Sequence, residues 1–306
     1  MLVPERLVTA GVRERTEDRG MNPAHPLLER WNGAIREGNC SWSQFVIEHA
    51  DKLISMSGIT RPPFLPDSFA HLQKVKRIIR ADLGELDALL LRLENGYLIK
   101  LNATQHPFRQ NFSCAHEIAH TFLLDTNATA PVAKKRTSRS LHLHQLNEEV
   151  LCNLGAREIL MPKSVFSDYA QRSGFSLQSV PSLAHTFQAS ITATARRLVE
   201  VSPEPLIAIF WTFRKTPTSS IRKLRVAWSM QSSSARRDRR YFVPEFASIG
   251  SGSSVAYAYA SDHYTSKPEN LNLGNLDGRY HVESKGFGAG SKRTVISFVF
   301  LKAPKH

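Results

Sequence analysis

His116-Glu117-Ile118-Ala119-His120 is the stretch that decides how this chain of 306 residues is interpreted. On a helix, His116 and His120 lie one turn apart on the same face, so their imidazoles can hold one metal ion between them. Glu117 lies beside them, close enough to act on a water molecule bound to that ion. Two ligands and one general base at this spacing are typical of zinc metallopeptidases. The pentapeptide therefore predicts a metal centre with His116 and His120 as ligands and Glu117 as the catalytic base.

The residues around the pentapeptide favour a rigid, partly buried helix. Ser113 precedes it and can cap the first turn through its hydroxyl. Residues 114–124 contain no Gly or Pro, so they can form one unbroken helix. Its apolar stripe, which can anchor the helix in a core, consists of Ala115, Ile118, Ala119, Phe122 and Leu123.

A third ligand must come from elsewhere, because catalytic zinc usually takes three protein ligands and leaves the fourth position to water. A second helix is predicted over about residues 146–160, ended by Pro162. Glu149 shares one face of it with Asn153 and Ala156, whereas Glu148 points about 100° away. The face behind Glu148 is also apolar, so the pattern favours Glu149 only slightly. The downstream candidates are Asp125, His142, His144, Glu148, Glu149 and Glu158.

Two segments of the chain resemble the signatures of one peptidase family. Residues 109–120 read Arg-Gln-Asn-Phe-Ser-Cys-Ala-His-Glu-Ile-Ala-His and resemble the approach to the metal helix in the ImmA/IrrE metallopeptidases. Residues 149–153, followed by Ala156 and by Leu-Met-Pro at 160–162, resemble the second signature of that family. Two signatures in the right order are far more specific than either one alone.

The resemblance implies the third ligand. In that family a Glu four residues before an Asn supplies it, and Glu149 occupies this position here. The resemblance covers roughly residues 25–200. It departs at Gly155, where the family tends to carry a bulky residue, often Phe. This departure concerns the local packing of the helix and leaves the ligands intact.

The same resemblance implies an intracellular zinc-dependent endopeptidase. His116, His120 and Glu149 would hold Zn²⁺, although this ligand set also accepts Mn²⁺ or Fe²⁺. The ion would polarise the scissile carbonyl and lower the pKa of its bound water to roughly 7. Glu117 would accept the water's proton and pass it to the leaving amine. The implied substrate is a helix-turn-helix transcriptional repressor, whose cleavage releases stress or mobile-element genes.

Other metal-ligand residue types have simpler interpretations. His142 and His144 lie in a polar, basic stretch (residues 128–145) that is predicted to be a loop, so exposed histidines are favoured over ligands, with contact to substrate as the alternative. Cys114 and Cys152 are predicted to pack as small buried side chains near the metal helices, with a Cys ligand as the alternative. Three cysteines in all indicate a reducing compartment without a disulfide framework, which predicts a cytoplasmic protein.

Composition excludes a membrane protein and indicates more than one domain. The longest apolar runs are far too short to span a bilayer, and residues 1–20 carry charges throughout, unlike a secretory signal. We interpret residues 1–20 as a disordered extension, with Met21 as a possible true start. Residues 25–81 are predicted to be mostly helical. Residues 89–93 and 97–101 flank an Asn-Gly turn and predict a β-hairpin.

The fold prediction is α+β. We expect a mostly helical, zincin-like metallopeptidase domain with a small sheet (residues 21–162), in which an edge strand beside the metal helix can hold an extended peptide. A helix-turn-helix-like segment (163–203) and a C-terminal GAF-like or mostly-β domain (204–306) follow, the latter by resemblance to the IrrE branch of the family. Strands are expected at about 206–213, 224–230, 280–284 and 294–301.

Charge supplies the rival interpretation. From residue 204 onward there are sixteen Lys/Arg and seven Asp/Glu, which gives +9 of the net +13. Such clusters suit a polyanion such as DNA, or a solvated basic surface. The rival is therefore a DNA-binding regulator in which the metal is structural. A third interpretation, compatible with the first, is a peptidase gated by a sensor-like C-terminal domain.

Overall fold

Helices and two separate β-sheets make up the part of the chain that the computed structural model describes, so the α+β class is confirmed. The described residues are 41–124, 138–216, 219–237, 241–290 and 293–302. They fall into an N-terminal unit (Met1–Pro162 with Thr186–Ser190) and a C-terminal unit (Lys163–His185 with Ile191–His306). The extension predicted over residues 1–20, together with Met21, lies outside the described residues. The zincin-like and GAF-like details and the domain boundaries stay predictions.

The N-terminal unit combines helices with a small three-stranded sheet. The first helix of the described residues is capped at its start by Ser41, whose hydroxyl accepts the Gln44 N–H at 3.2 Å. Its C-terminal cap is Gly58, which has left-handed backbone angles. The elements are α1 (Trp42–Ser57), α2 (Pro66–Phe69), a 3₁₀ turn (Ala70–Gln73), β1 (Val75–Ala81), β2 (Ala88–Leu93), β3 (Gly96–Asn102), α3 (Pro107–Leu124) and α4 (Ser138–Leu160).

The sheet of this unit has the order β1-β3-β2, which leaves β2 at one edge. Strands β2 and β3 form the predicted hairpin, with Leu90 opposite Ile99. Strand β1 was not predicted, because residues 25–81 were expected to be mostly helical. It pairs in parallel with β3, and this long-range pairing decides its conformation in a way that local residue patterns do not show.

Helix α3, which carries His116 and His120 and is called the metal helix below, is longer than its sequence pattern predicts. Helix α3 begins at Pro107, so Ser113 is buried inside it and does not cap its start. Proline is favoured in the first turn, where its missing N–H has no helical partner. The ring nitrogen Nδ1 of His106 accepts the Phe108 N–H at 3.2 Å and serves as the local cap. The expected loop over residues 128–145 is also wrong from residue 138 onward, where α4 has begun.

Gly155 brings three helices close together. A Cβ atom placed on it would lie 2.7 Å from the Ala119 Cβ of α3 and 3.1 Å from the Val46 Cγ1 of α1. The space that a bulky residue would need is therefore filled by these two neighbours. The glycine that departs from the family pattern therefore allows α4 to pack closely against α3 and α1.

The C-terminal unit is built on one antiparallel sheet with the order β5-β4-β8-β7-β6. The four predicted strands correspond to β4, β5, β7 and β8. Strand β6 was not predicted, because it carries Pro268 and lacks apolar alternation; proline is tolerated there since β6 is an edge strand. The elements are α5 (Lys163–Ser173), α6 (Ser179–Phe187), α7 (Ile191–Val201), β4 (Leu206–Thr216), β5 (Ser219–Gln231), α8 (Ser233–Arg237), α9 (Ser254–Ser261), β6 (Thr265–Leu273), β7 (Leu276–Phe287) and β8 (Thr294–Phe300).

The two faces of this sheet are covered differently. One face carries an apolar cluster that includes Ile209 and Val295 and packs against α9 through Val255. On the other side α7 packs against β4 and β5. There the Arg196 guanidinium lies 3.8 Å from the centre of the Trp228 ring, which stacks on Phe210 at 3.5 Å.

Two buried polar clusters in the C-terminal unit are satisfied by hydrogen bonds. The Glu283 carboxylate accepts the Leu177 N–H at 2.6 Å and the Ser176 hydroxyl at 2.9 Å. The Trp211 indole N–H donates to Ser297 at 3.0 Å, and Ser297 bonds Ser284 at 2.8 Å. These contacts join loops and strands and give the polar groups a structural role. Among the helices of the described residues, none combines the length and the apolar character needed to cross a bilayer.

Candidate metal centre

The side chains of His116 and His120 in α3 converge with that of Glu149 in α4. The two Nε2 atoms lie 3.2 Å apart. Glu149 Oε2 lies 3.2 Å from Nε2 of His116, and Glu149 Oε1 lies 3.7 Å from Nε2 of His120. The ligand atoms of the three residues all lie within 4.8 Å of one another, so together they can hold a metal ion.

The outer nitrogens of both rings have partners of their own. Nδ1 of His116 lies 3.1 Å from Oδ1 of Asn153, and Nδ1 of His120 lies 3.2 Å from Oε1 of Glu148. Amide and carboxylate oxygens only accept hydrogen bonds, so each Nδ1 carries the proton and donates it. In the neutral form of each ring, Nε2 is then unprotonated and carries the lone pair that a metal needs.

This protonation pattern tests whether the residues fit a cation. With both rings neutral, the two Nε2 atoms and the Glu149 carboxylate bring only acceptors together, and acceptors without a donor are unfavourable neighbours. A divalent ion resolves this arrangement. Two imidazole nitrogens and one carboxylate are a donor set that zinc and other first-row divalent metals accept. The geometry of His116, His120 and Glu149 thus fits a metal ion.

The protonation equilibria of the centre are shifted by burial and by its charges. Burial, together with the neighbouring His120, lowers the pKa of His116 and favours the neutral imidazole that a metal needs. Burial raises the pKa of Glu117 to about 7, although His120 acts in the opposite direction. The backbone N–H of Leu90 also donates to the Glu117 carboxylate. Because Leu90 belongs to β2, Glu117 joins the metal helix to the edge strand.

A second contact fixes the start of the edge strand. The Arg109 guanidinium binds Asp87 through two hydrogen bonds of 2.7 and 3.1 Å. Asp87 immediately precedes β2, and Arg109 lies in the first turn of α3. The Arg at the beginning of the first sequence signature therefore ties the metal helix to β2. The sequence contains no local pattern from which this pair could have been found.

The other candidates from the sequence are placed as follows. Glu148 contacts the outer side of His120, away from the point where Glu149 meets the two rings. Glu158 is buried and lies 3.6 Å from the Arg157 guanidinium. Asp125 and the side chains of His142 and His144 lie outside the described residues.

The two cysteines near the metal helices are buried and free, as predicted. Burial is the largest cause of the raised pKa of both thiols, Cys114 and Cys152, and keeps them protonated. Within the described residues, the compact group of potential ligand atoms contains neither thiol. Both side chains therefore act as small core residues of the helix pair.

Comparisons with known proteins identify the first part of the chain. Residues 76–199 match the Peptidase_M78 family, described as the IrrE N-terminal-like domain. The radiation response metalloprotease IrrE of Deinococcus radiodurans is 32% identical over 111 residues, which are 36% of this chain and 33% of that protein. The protein of the same name from Deinococcus deserti is 31% identical over 112 residues, or 36% of this chain and 39% of the relative. The matched segment thus spans only between a third and two fifths of these relatives.

A solved structure, described as a Mycobacterium tuberculosis transcriptional regulator, has a similar fold. The TM-score is 0.57 at 14% identity, and the alignment covers 90% of this chain and 81% of the other. At this identity the similarity concerns the fold alone. The sequence match carries the assignment of one segment: residues 76–199 match the IrrE N-terminal-like domain, as the resemblance of the two signatures predicted.

Proposed function

We propose that this chain is a zinc-dependent endopeptidase in which His116, His120 and Glu149 hold the ion and Glu117 is the general base. One observation carries the proposal. Three acceptor side chains converge within 4.8 Å beside a carboxylate that is anchored to an edge strand. Membership of a metallopeptidase family supports the same reaction class.

The chemistry divides between the ion and the protein. When bound, a divalent ion supplies Lewis acidity, which polarises a peptide carbonyl and makes a water molecule more acidic. The protein supplies proton transfer through Glu117. A carboxyl group with a pKa of about 7 can both accept a proton from water and return it to the leaving amine near neutral pH. Zinc is the proposed metal, and Mn²⁺ or Fe²⁺ also suits the donor set.

The edge strand β2 is the proposed docking site of the substrate. An edge strand presents backbone groups to which an extended peptide can add as a further strand. Asp87 and Glu117 hold this strand against the metal helix at its start and at Leu90. A substrate strand on β2 would therefore lie close to the metal centre. We propose a helix-turn-helix transcriptional repressor as the substrate, as the family resemblance implies. The two relatives are named as radiation response metalloproteases, which supports a role in a stress response.

The proposal is tested with the full-length protein and its Glu117→Gln variant. Both are expressed in cells, and newly formed protein N-termini are labelled and identified by mass spectrometry. Candidate repressors found in this way are then digested in vitro with the zinc-loaded proteins. The wild type should cut the repressor, whereas Glu117→Gln should bind zinc equally well and cut about 10²–10⁴-fold more slowly.

Glu94→Gln is the matched control, because it makes the same chemical change on the exposed hairpin turn. It should cut like the wild type. Equal cutting by the wild type and Glu117→Gln would refute the role of Glu117. Cut proteins that are unrelated to repressors would refute the proposed substrate class and leave the peptidase assignment standing.

A DNA-binding regulator is the second candidate, and the charge of β4 and β5 favours it. Residues 205–237 contain seven Lys or Arg and no Asp or Glu, and Arg222 and Lys223 of β5 are exposed. The helix pair α6 and α7 offers less. In α7, Arg197 is fully buried and lies 3.0 Å from Glu200, and Arg196 covers Trp228. Helix α7 therefore uses both arginines in packing, so a DNA-binding role would rest on β5.

This candidate predicts salt-sensitive binding of duplex DNA that is weakened by Arg222→Ser combined with Lys223→Ser. Fluorescence anisotropy measured between low and physiological salt checks it, because each lost phosphate contact reduces the salt dependence. DNA binding together with proteolysis would place the enzyme at DNA-bound repressors. DNA binding without cleavage of any protein would favour the regulator over the peptidase.

A further inference from the structure

The two histidines of the candidate metal centre differ in the hydrogen-bond acceptor of their Nδ1 atoms. Nδ1–H of His116 donates to the neutral amide oxygen of Asn153, at 3.1 Å. Nδ1–H of His120 donates to a carboxylate oxygen of Glu148, at 3.2 Å. The His120 ring is thus placed between two carboxylates, with Glu148 at Nδ1 and Glu149 at Nε2.

We propose that Glu148 is a positioning residue of the metal centre, which fixes the tautomer and orientation of His120. The inference rests on the proposed metal-binding role of His120. Glu148 and Glu149 are adjacent in the sequence but point about 100° apart around α4. One therefore reaches the outer side of the ring while the other reaches its inner side. The pair Glu148-Glu149 holds both sides of one imidazole from a single turn of helix.

The chemistry of the contact explains why a carboxylate matters. A hydrogen bond from Nδ1–H to a carboxylate keeps the proton on Nδ1, leaves Nε2 free for a metal, and makes the imidazole a stronger ligand. A charged acceptor also gives a stronger hydrogen bond than a neutral one. The exposed fraction is 17% for the His120 side chain and 33% for that of Glu148, so water competes only partly for this contact.

The geometry distinguishes this role from that of a ligand. Nδ1 and Nε2 lie on different edges of the same ring, and Nε2 is the atom that faces Glu149 and His116. The compact group of potential ligand atoms consists of His116, His120 and Glu149. Glu148 approaches from the opposite edge of the His120 ring. It therefore acts on the metal through His120.

The test compares Glu148→Ala, Glu148→Gln and Glu149→Ala in the full-length protein, with Val150→Ala as the control. Val150 is adjacent in the sequence and 66% exposed, so its truncation changes the helix surface without touching the histidines. Zinc affinity is measured by competition with a chromophoric chelator. The absorption spectrum of the Co²⁺-loaded protein reports the ligands of the ion.

Glu148→Ala should weaken zinc binding about 10–100-fold, the effect typical of losing an outer partner of a ligating histidine. It should leave one ion per chain and an almost unchanged Co²⁺ spectrum. Glu148→Gln keeps an acceptor oxygen and should recover part of the affinity. Glu149→Ala should change the Co²⁺ spectrum, because it removes a ligand. Val150→Ala should bind zinc like the wild type.

Two results would overturn the proposal. Wild-type zinc affinity in Glu148→Ala would show that Glu148 does not position His120. A Co²⁺ spectrum altered as in Glu149→Ala would show that Glu148 is itself a ligand.

A wild-type protein that binds no metal would refute the proposed function, and the inference can still be tested separately. Long-range ¹H–¹⁵N spectra of the metal-free protein report which ring nitrogen of His120 carries the proton. The proposal requires Nδ1–H in the wild type and a shift toward Nε2–H in Glu148→Ala. A neutral wild-type ring protonated only at Nε2 would refute it.

Discussion

Glu149 in the N-terminal unit and Glu283 in the C-terminal unit are both held by neighbouring side chains, but in opposite ways. The Glu283 side chain is almost fully buried and accepts hydrogen bonds from Leu177 and Ser176. The Glu149 side chain is 56% exposed and faces two imidazole nitrogens whose protons lie on the far side of their rings. Burial alone therefore does not identify a functional carboxylate. What distinguishes Glu149 is that its neighbours are acceptors, as Glu149 is.

The histidines and serines show the same contrast. Trp211, Ser297 and Ser284 form a chain in which a donor always has an acceptor. The Nε2 atoms of His116 and His120 lie 3.2 Å apart beside the Glu149 carboxylate, so three potential acceptors converge there. A satisfied chain stabilises a fold, whereas converging acceptors create a site for a cation.

Replacing Glu149 by Ala should give the largest effect, because it removes one of the three proposed metal ligands. We expect zinc affinity to fall by more than the roughly 100-fold upper range for an outer partner, and peptide cleavage to be lost. The metal-free protein should unfold near the wild-type temperature, since Glu149 is half exposed. Metal content and thermal unfolding of the chelator-treated protein check both statements. If metal-free Glu149→Ala were much less stable than the metal-free wild type, Glu149 would have a structural role like that of Glu283. The contrast between the two carboxylates would then be wrong.

Substitution of Gly155 should be the next largest effect, and it tests whether the acceptor cluster depends on close helix packing. Gly155→Ala places a Cβ atom 2.7 Å from that of Ala119, and such overpacking costs about 1–3 kcal/mol, more than the roughly 1 kcal/mol that Ala gains over Gly in a helix. Gly155→Phe should cost more.

Ala119→Gly in the Gly155→Ala background provides the control, because it removes the atom that clashes. Denaturant unfolding of the single and double variants measures the coupling. Additive effects of the two changes would show that the contact of Gly155 with Ala119 does not limit stability.

Glu283→Ala should destabilise the protein by about 1–3 kcal/mol, because it leaves the buried Leu177 N–H without its acceptor. Zinc affinity should stay at the wild-type value. Urea unfolding and the chelator competition assay give the two numbers on one sample. The two variants should therefore have opposite effects. Glu149→Ala should lose zinc binding and keep its stability, whereas Glu283→Ala should lose stability and keep its zinc affinity. A change in zinc affinity would contradict the separation of roles.

Ser297→Ala should have the smallest effect, about 1 kcal/mol, since it removes the acceptor of the Trp211 indole N–H. The tryptophan fluorescence of the folded protein should also shift, because the indole loses a hydrogen bond. A neutral variant would indicate that Ser284 takes over as acceptor. A stabilised variant would contradict the structural role of this polar chain.

The sequence could predict the part of the site that is local. His116, Glu117 and His120 follow from helical spacing alone. The choice between Glu148 and Glu149 did not follow from spacing, because both positions have apolar faces behind them. It depends on how α4 is rotated against α3, and the Gly155 contact with Ala119 sets that packing.

The parts of the fold that the sequence did not predict depend on distant partners. Strand β1 is extended because it pairs with β3, which lies about twenty residues further along the chain. Strand β6 contains Pro268 and is accepted only because it pairs on one side. The Arg109–Asp87 contact likewise joins residues from different elements. Local sequence patterns indicate the secondary structure that a segment favours, but they do not show which distant segment it pairs with.

The family match and the compact units of the chain do not end at the same residue, and this matters for anyone who expresses the matched segment alone. The match stops at residue 199, inside α7, a helix of the C-terminal unit that packs on β4 and β5. A fragment cut at that point would expose the inner side of α7, including Leu198 and Val199. Such a fragment should aggregate or be degraded on expression. Loss of activity in it would then report the loss of folded protein and say nothing about regulation.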